Sequence, residues 1–173
     1  MNPRRNRTRS SVITAIMAAL IFVVTFIVRI PIPFSSGGGY LNMGDVVIYV
    51  CAYLLGGPRA SIAAAIGSGL ADLTAGAVIY ILPTCAIKGL MGFVAGAVSK
   101  GGGFKRYLIS SVAGGAIMVA GYAIFECIFF GRAYALAALP LNAIQWGGCT
   151  AITAAIYTIT KKINSYLAHQ PQL

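Results

Sequence analysis

From Ser11 to Val28 the chain runs eighteen residues without a charged side chain, directly behind four arginines at Arg4, Arg5, Arg7 and Arg9. An apolar run of about 20 residues is what a helix needs to cross about 30 Å of hydrocarbon. The basic start followed by an apolar run has the outline of a secretory signal. The run is long, however, and no convincing small-residue cleavage site follows it, so it reads as a retained first span. The rest of the chain repeats the pattern. Hydrophobic residues make up 58% of the 173 and charged residues only 9%, against about a quarter charged in a soluble domain. The expectation is an all-α integral membrane protein of one domain.

Polar and Gly/Pro breaks divide the chain into six expected transmembrane helices. They fall at about Ser11 to Val28, Asp45 to Leu55, Ala60 to Leu73, Tyr80 to Val98, Tyr107 to Phe130 and Leu141 to Thr160. The second and third are short for a crossing and so need burial against neighbours or extension into their loops. Residues 1–10 form a basic N-terminus, 11–162 the membrane domain and 163–173 a polar tail. Lysine and arginine orient the bundle. With the N-terminus in the cytoplasm, Arg4, Arg5, Arg7, Arg9, Arg59, Lys100, Lys105, Arg106, Lys161 and Lys162 lie inside, and only Arg29 and Arg132 lie outside. This is the positive-inside bias, and six spans then place both termini in the cytoplasm.

The net charge of +10 is therefore an orientation signal spread over connectors. It is not a nucleic-acid-binding face, and no nucleic-acid partner is expected. Cys51, Cys85, Cys127 and Cys149 are scattered with no paired spacing, so they read as small buried hydrophobes. No G-x-x-x-x-G-K-[ST] loop exists to hold a nucleotide. The single histidine, His169, lies in the tail, so no Ser–His or His–metal site can form within the membrane. The chain reads as a binder that needs no cofactor or metal, not as an enzyme.

Three acidic residues remain to be explained. In the expected orientation Asp45 opens span two and Asp72 closes span three, both at the outer face, with Glu126 about one turn from the outer end of span five. Lys88 lies about 12 Å deep in span four, counted at 1.5 Å per residue. Asn142, Gln145 and Trp146 occupy the outer part of span six. A charge in hydrocarbon costs at least about 2.5 kcal/mol, so such residues face a cavity, a partner, or both. Their convergence predicts a polar pocket open to the outside. The inner halves of the spans carry no charge, which argues against an ion-coupled relay.

Each residue also has a plainer reading. Asp45 would serve as a helix cap. Asp72, at a helix C-terminus where the dipole disfavours an anion, would pair with Lys88 or Arg29. Lys88 would snorkel, or hold a carboxylate or an anionic ligand group. Glu126 and Tyr122, four residues apart on one face, would either line the pocket or bond between helices. Tyr80, Tyr134 and Phe34 would be interfacial aromatics, whereas Trp146, the only tryptophan, would stack on a ligand. The glycine-rich loop Phe34 to Asp45 would be a connector or a lid. Ala15 and Ala19, and Gly92 and Gly96, have the small-x-x-x-small spacing that lets helices approach closely.

The blocks "GYLNMGDVVIYVCAYLLGGPRASIAAAIGSGLADLTAG" and "YILPTCAIKGLMGFVAG" resemble the substrate-binding S components of energy-coupling factor (ECF) transporters, closest to the riboflavin-type branch. The resemblance covers about Ser11 to Lys162 and is most specific from Gly39 to Gly96. It implies a six-helix membrane protein that captures a vitamin or precursor outside the cell. The implied partners are a transmembrane T component and two ATPases that supply the ATP hydrolysis. It implies that Ala15 and Ala19, with Ala18 extending the small face, dock the T component. It carries ligand contact to Tyr40, Asn42, Asp45, Asp72 and Lys88, while Asn142, Gln145 and Trp146 rest on the geometry above. Riboflavin, a pyridoxine-type vitamer, a thiamin precursor and pantothenate all remain open. The rival reading is a small transporter or channel that works without ATPase partners.

Overall fold

The computed structural model describes residues 3–32 and 38–169. Helix α1 (Pro3–Ile27) leads into a short antiparallel hairpin of β1 (Arg29–Pro31) and β2 (Tyr40–Asn42), in register Arg29 to Asn42, Ile30 to Leu41 and Pro31 to Tyr40. Then come α2 (Gly44–Leu55), α3 (Gly57–Ala75), a 3-10 turn (Val78–Tyr80), α4 (Ile81–Ser99), α5 (Phe104–Phe130), α6 (Arg132–Ala155) and α7 (Tyr157–His169). The fold is all-α apart from this hairpin, whose second strand lies within the glycine-rich loop expected as a connector or lid. Residues 33–37, including Phe34, lie outside the described residues.

Local chemistry sets the boundaries. The Asn42 Oδ1 accepts the Gly44 N–H at 3.0 Å, so Asn42 satisfies a free donor at the start of α2. Asp45 sits in the first turn but makes no cap bond. The chain breaks between α2 and α3 at Gly56 (φ 80°) and leaves α3 through a left-handed Gly76 (φ 77°), where the Ala77 N–H reaches back to the Asp72 carbonyl at 2.9 Å. Positive φ of this kind favours glycine because it has no Cβ.

Three helical stretches are long and apolar enough to cross a membrane: Thr8–Ile27, Val78–Ser99 and Phe104–Phe130; Gly44–Leu55 is apolar but shorter. Helix α3 is rich in Ala and Gly for a packing reason. A Cβ at Gly92 of α4 would meet the Ala60 carbonyl oxygen at 2.7 Å, and one at Gly96 would meet the Gly56 carbonyl carbon at 2.5 Å. These glycines let α3 and α4 pack backbone to backbone, as their spacing suggested. The expected sixth span is displaced. Pro140 reads as a break, yet α6 starts at Arg132 and carries Pro140 in its interior. It stops at Ala155, so Lys161 and Lys162 belong to a separate helix, α7, that extends through most of the expected polar tail.

Burial is inverted relative to a soluble protein. Asp45, Lys88, Glu126, Asn142 and Gln145 are buried, while Leu82 (80% exposed), Ile128 (72%) and Ile16 (59%) face outward. An outer surface of large apolar side chains is what lipid covers. The core joins Ile21 of α1, Ile48 and Tyr49 of α2, Ala63 and Ala64 of α3, Met91 of α4, Met118 of α5 and Cys149 of α6. Cys51 is also buried and Cys85 partly so, but Cys127 is exposed on the outer face of α5, contrary to the expectation that all four are buried.

Candidate functional site

The hairpin closes one end of the bundle, where α1, α3 and α5 finish and α2, α4 and α6 begin. Arg59, Lys100, Lys105 and Arg106 cluster at the opposite, basic end. Beneath the hairpin lies a narrow cleft whose empty space, counted out to its solvent-open side, is about 470 Å³. Tyr40 and Asn42 of β2 form its roof. Ser68 and Asp72 of α3, Thr84 and Lys88 of α4, Tyr122 and Glu126 of α5, and Asn142 and Gln145 of α6 form its walls. The first three wall pairs are four residues apart and the last is three, so each pair shares one helix face.

The electrostatic centre is a buried ion pair between the Lys88 ammonium and the Asp45 Oδ1. The second carboxylate oxygen of Asp45 accepts the Gln145 side-chain N–H at 2.8 Å. The Gln145 carbonyl in turn accepts the Asn42 backbone N–H at 2.8 Å. One continuous network thus ties α4, α2, α6 and the hairpin. Lys88 does not snorkel, and its partner is Asp45, not Asp72. The Lys88 ammonium also lies 5.6 Å from the centre of the Tyr122 ring, within cation–π range.

Asp72 receives the Tyr40 hydroxyl at 2.6 Å, a second tie from hairpin to bundle. Burial first, and then the adjoining Asp72, push the Tyr40 phenol well above its ordinary pKa, with Arg29 pulling the other way. The phenol therefore stays protonated and donating. Glu126 receives the Tyr80 hydroxyl at 3.4 Å, and that hydroxyl also lies 3.2 Å from the Tyr134 hydroxyl. Tyr80 is therefore not an interfacial aromatic. The 3-10 turn brings its ring inward against Phe125 (centroids 5.2 Å apart) and Phe130 (5.8 Å). The Thr84 and Tyr122 hydroxyls bond at 2.9 Å.

Several buried polar atoms are left unspent. Among the described residues, Thr25 Oγ1, Asp72 Oδ2, Glu126 Oε2 and Asn142 Nδ2 have no hydrogen-bond partner, and all four residues line the cleft. Buried polar groups are nearly always paired, so an unpaired cluster calls for an explanation.

Of the expected ligand contacts, Tyr40, Asn42, Asp72, Lys88, Asn142 and Gln145 meet at this cleft. Asp45 stands behind it as the partner of Lys88. Trp146 is not among the lining residues. Its indole fills the space that a Cβ at Gly115 of α5 would take, so it seals α6 to α5. Sequence reasoning left Ser68 and Thr84 out of the site and kept Glu126 and Tyr122 undecided; their spacing from other polar residues in apolar helices was the available signal. On α1, Ala15 and Ala19 are exposed, but Ala18 is not an extension of their face. It is buried, and a Cβ at Gly67 of α3 would come within 2.5 Å of its carbonyl oxygen.

Among the described residues no group of three His, Cys, Asp or Glu could hold a metal ion. His169 lies on α7, where its ring bonds the Ser165 carbonyl at 2.7 Å. The cleft offers hydrogen-bond acceptors, donors and aromatic faces, which is equipment for recognition.

Comparison with known proteins agrees with this reading. The family model for the ECF-type riboflavin transporter S component matches residues 5–163. A protein of Pyrococcus woesei, described as an uncharacterized protein in the gap 3′ region, is 40% identical over 71% of this chain and 82% of its own length. The thiamine precursor transporter HmpT of Lactococcus lactis subsp. cremoris is 34% identical over 76% of this chain and 75% of its own. This multi-pass membrane protein, with its polar cleft under a hairpin, belongs to the family of ECF-type riboflavin transporter S components, which are transport subunits and not enzymes.

Proposed function

We propose that the chain captures a small water-soluble vitamin or vitamin precursor in the cleft beneath the hairpin, as the substrate-specific subunit of an ATP-driven importer. The observation that carries this reading is the cleft: a polar site with unspent hydrogen-bonding atoms, inside an otherwise apolar bundle, roofed by a segment tied to its walls. Six helices cross the plasma membrane, with the hairpin end outside and the termini and basic loops inside, following the distribution of Lys and Arg. The hairpin acts as a lid whose ties through Tyr40 and Asn42 must loosen for entry. A transmembrane T component docks on the Ala15 and Ala19 face of α1, and two ATPase subunits drive release into the cell. The named substrate of the Lactococcus relative adds weight to a thiamin precursor among the candidates.

Mass spectrometry of small molecules released from the detergent-purified protein tests the binding function. A single vitamin at one per chain is expected; an empty protein that also ignores an added vitamin panel overturns it. The docking face is tested by Ala15→Trp or Ala19→Trp. Either is expected to abolish uptake in cells and leave ligand affinity intact, and normal uptake in both variants would remove that face from the proposal.

A further inference from the structure

Among the described residues that line the cleft, Lys88 is the one cation. Lys88 is paired with Asp45, whose other oxygen is held by Gln145. Asp72 and Glu126 each keep one carboxylate oxygen without a hydrogen bond, although they are only 5% and 3% exposed; the Thr84 hydroxyl lies near Asp72 but is engaged with the Tyr122 hydroxyl at 2.9 Å. Tyrosine hydroxyls reach only their first oxygens. Arg29, the nearest cation of the hairpin, lies over the rings of Phe26 (4.5 Å) and Tyr40 (5.9 Å) and lines a neighbouring cleft, not this one. An anionic ligand would thus meet two carboxylates and no unpaired ammonium or guanidinium. A ligand N–H would meet acceptors that lack a donor. Asn142 Nδ2 is the complementary case, a buried donor without an acceptor.

Resting on the binding function proposed above, we infer that the site selects a flat heteroaromatic ring bearing an amino group and no acidic group. The amino N–H groups face Asp72 and Glu126, and a ring nitrogen or hydroxyl accepts from Asn142. Phosphate esters and carboxylates of the same ring are excluded, because their charge has no counter-ion in the cleft and would sit beside two acids. Selection of this kind is sharp. A site built around buried acceptors rejects an analogue that lacks the donor far more strongly than an apolar pocket rejects a missing methylene.

Calorimetric titration of the purified, ligand-stripped protein tests the inference with matched probes. These are hydroxymethyl-aminopyrimidine and pyridoxamine, the same two rings with hydroxyl in place of the amine, and pantothenate and riboflavin. The expected result is at least one amino ring bound tenfold or more tightly than its hydroxyl counterpart, with pantothenate not bound. Asp72→Asn with Glu126→Gln is expected to reduce that preference to less than threefold, with the unfolding temperature followed in parallel. If the double variant does not fold, the matched pairs on the unsubstituted protein decide alone. Equal affinity within each pair, or tight binding of pantothenate or riboflavin alone, overturns the amino-ring inference and leaves the vitamin-binding function standing. No binding of any probe, together with no vitamin released from the purified protein, overturns both.

Discussion

Tyrosines close both ends of the bundle, to opposite effect. At the basic end Tyr53, Tyr107 and Tyr157 pack on one another, with ring centroids 5.1 to 6.1 Å apart. The Tyr53 hydroxyl is donated to the Gly102 carbonyl at 2.8 Å, and those of Tyr107 and Thr160 lie 3.4 Å apart. At the hairpin end Tyr40, Tyr80 and Tyr122 line a cleft. Their hydroxyls engage Asp72, Glu126 and Thr84, and the acids keep oxygens to spare. One end uses aromatic area to exclude space. The other uses aromatic reach to frame it. Changes at the basic end should therefore act on stability, and changes at the hairpin end on binding.

The exception at the hairpin end gives the largest expected effect. Lys88→Ala leaves Asp45 as a buried charge without its counter-ion, which costs about 3–5 kcal/mol. The unfolding temperature in detergent should fall by roughly 10 °C for a chain of this size. Lys88→Met combined with Asp45→Leu should recover much of that loss; an unchanged temperature for the single variant would mean that the pair is not buried. Next in size is Gly96→Leu, which forces a side chain into the backbone contact between α4 and α3 at the basic end. It should cost about 1–3 kcal/mol and leave the affinity of the folded fraction unchanged, as read by titration against whichever ligand the unsubstituted protein binds. Tyr40→Phe removes a hydroxyl donor from Asp72 and one tie between hairpin and bundle; if the hairpin is the proposed lid, ligand should dissociate roughly tenfold faster, about 1.4 kcal/mol, in a stopped-flow chase. Smallest is Tyr53→Phe, which should cost about 1 kcal/mol, a shift of about 2–4 °C, with no change in affinity. A loss of binding there would dissolve the contrast between the two ends.

Much of the site was legible because charge in an apolar helix demands a reason. Asp45, Asp72 and Lys88 stood out for that reason, and Asn142 and Gln145 followed from the expected path of the chain. What stayed hidden was pairing. Nothing in the spacing shows that Lys88 meets Asp45, 43 residues away, because that choice depends on how α2 leans on α4. Tyr80 was misread since a tyrosine near a helix end fits an interface belt equally well; only the 3-10 turn before α4 brings it inward. Trp146 invited a ligand role as the only tryptophan, but Gly115 opposite leaves a slot for it. Pro140 suggested a helix end by its missing N–H, and α6 runs through it regardless. Ala18 shares the composition of the expected docking face and lies only three residues from Ala15, so helix period alone does not separate it; its close packing against Gly67 of α3 does.

Helix α2 has 12 residues, about 18 Å at 1.5 Å per residue, too short to cross about 30 Å of hydrocarbon alone. Its Asp45 is neutralised by a lysine that the ribosome adds 43 residues later. The burial of α2 therefore depends on a residue of α4. Wherever α4 is displaced, the start of α2 keeps a carboxylate out of water without its counter-ion, at a cost of about 3–5 kcal/mol.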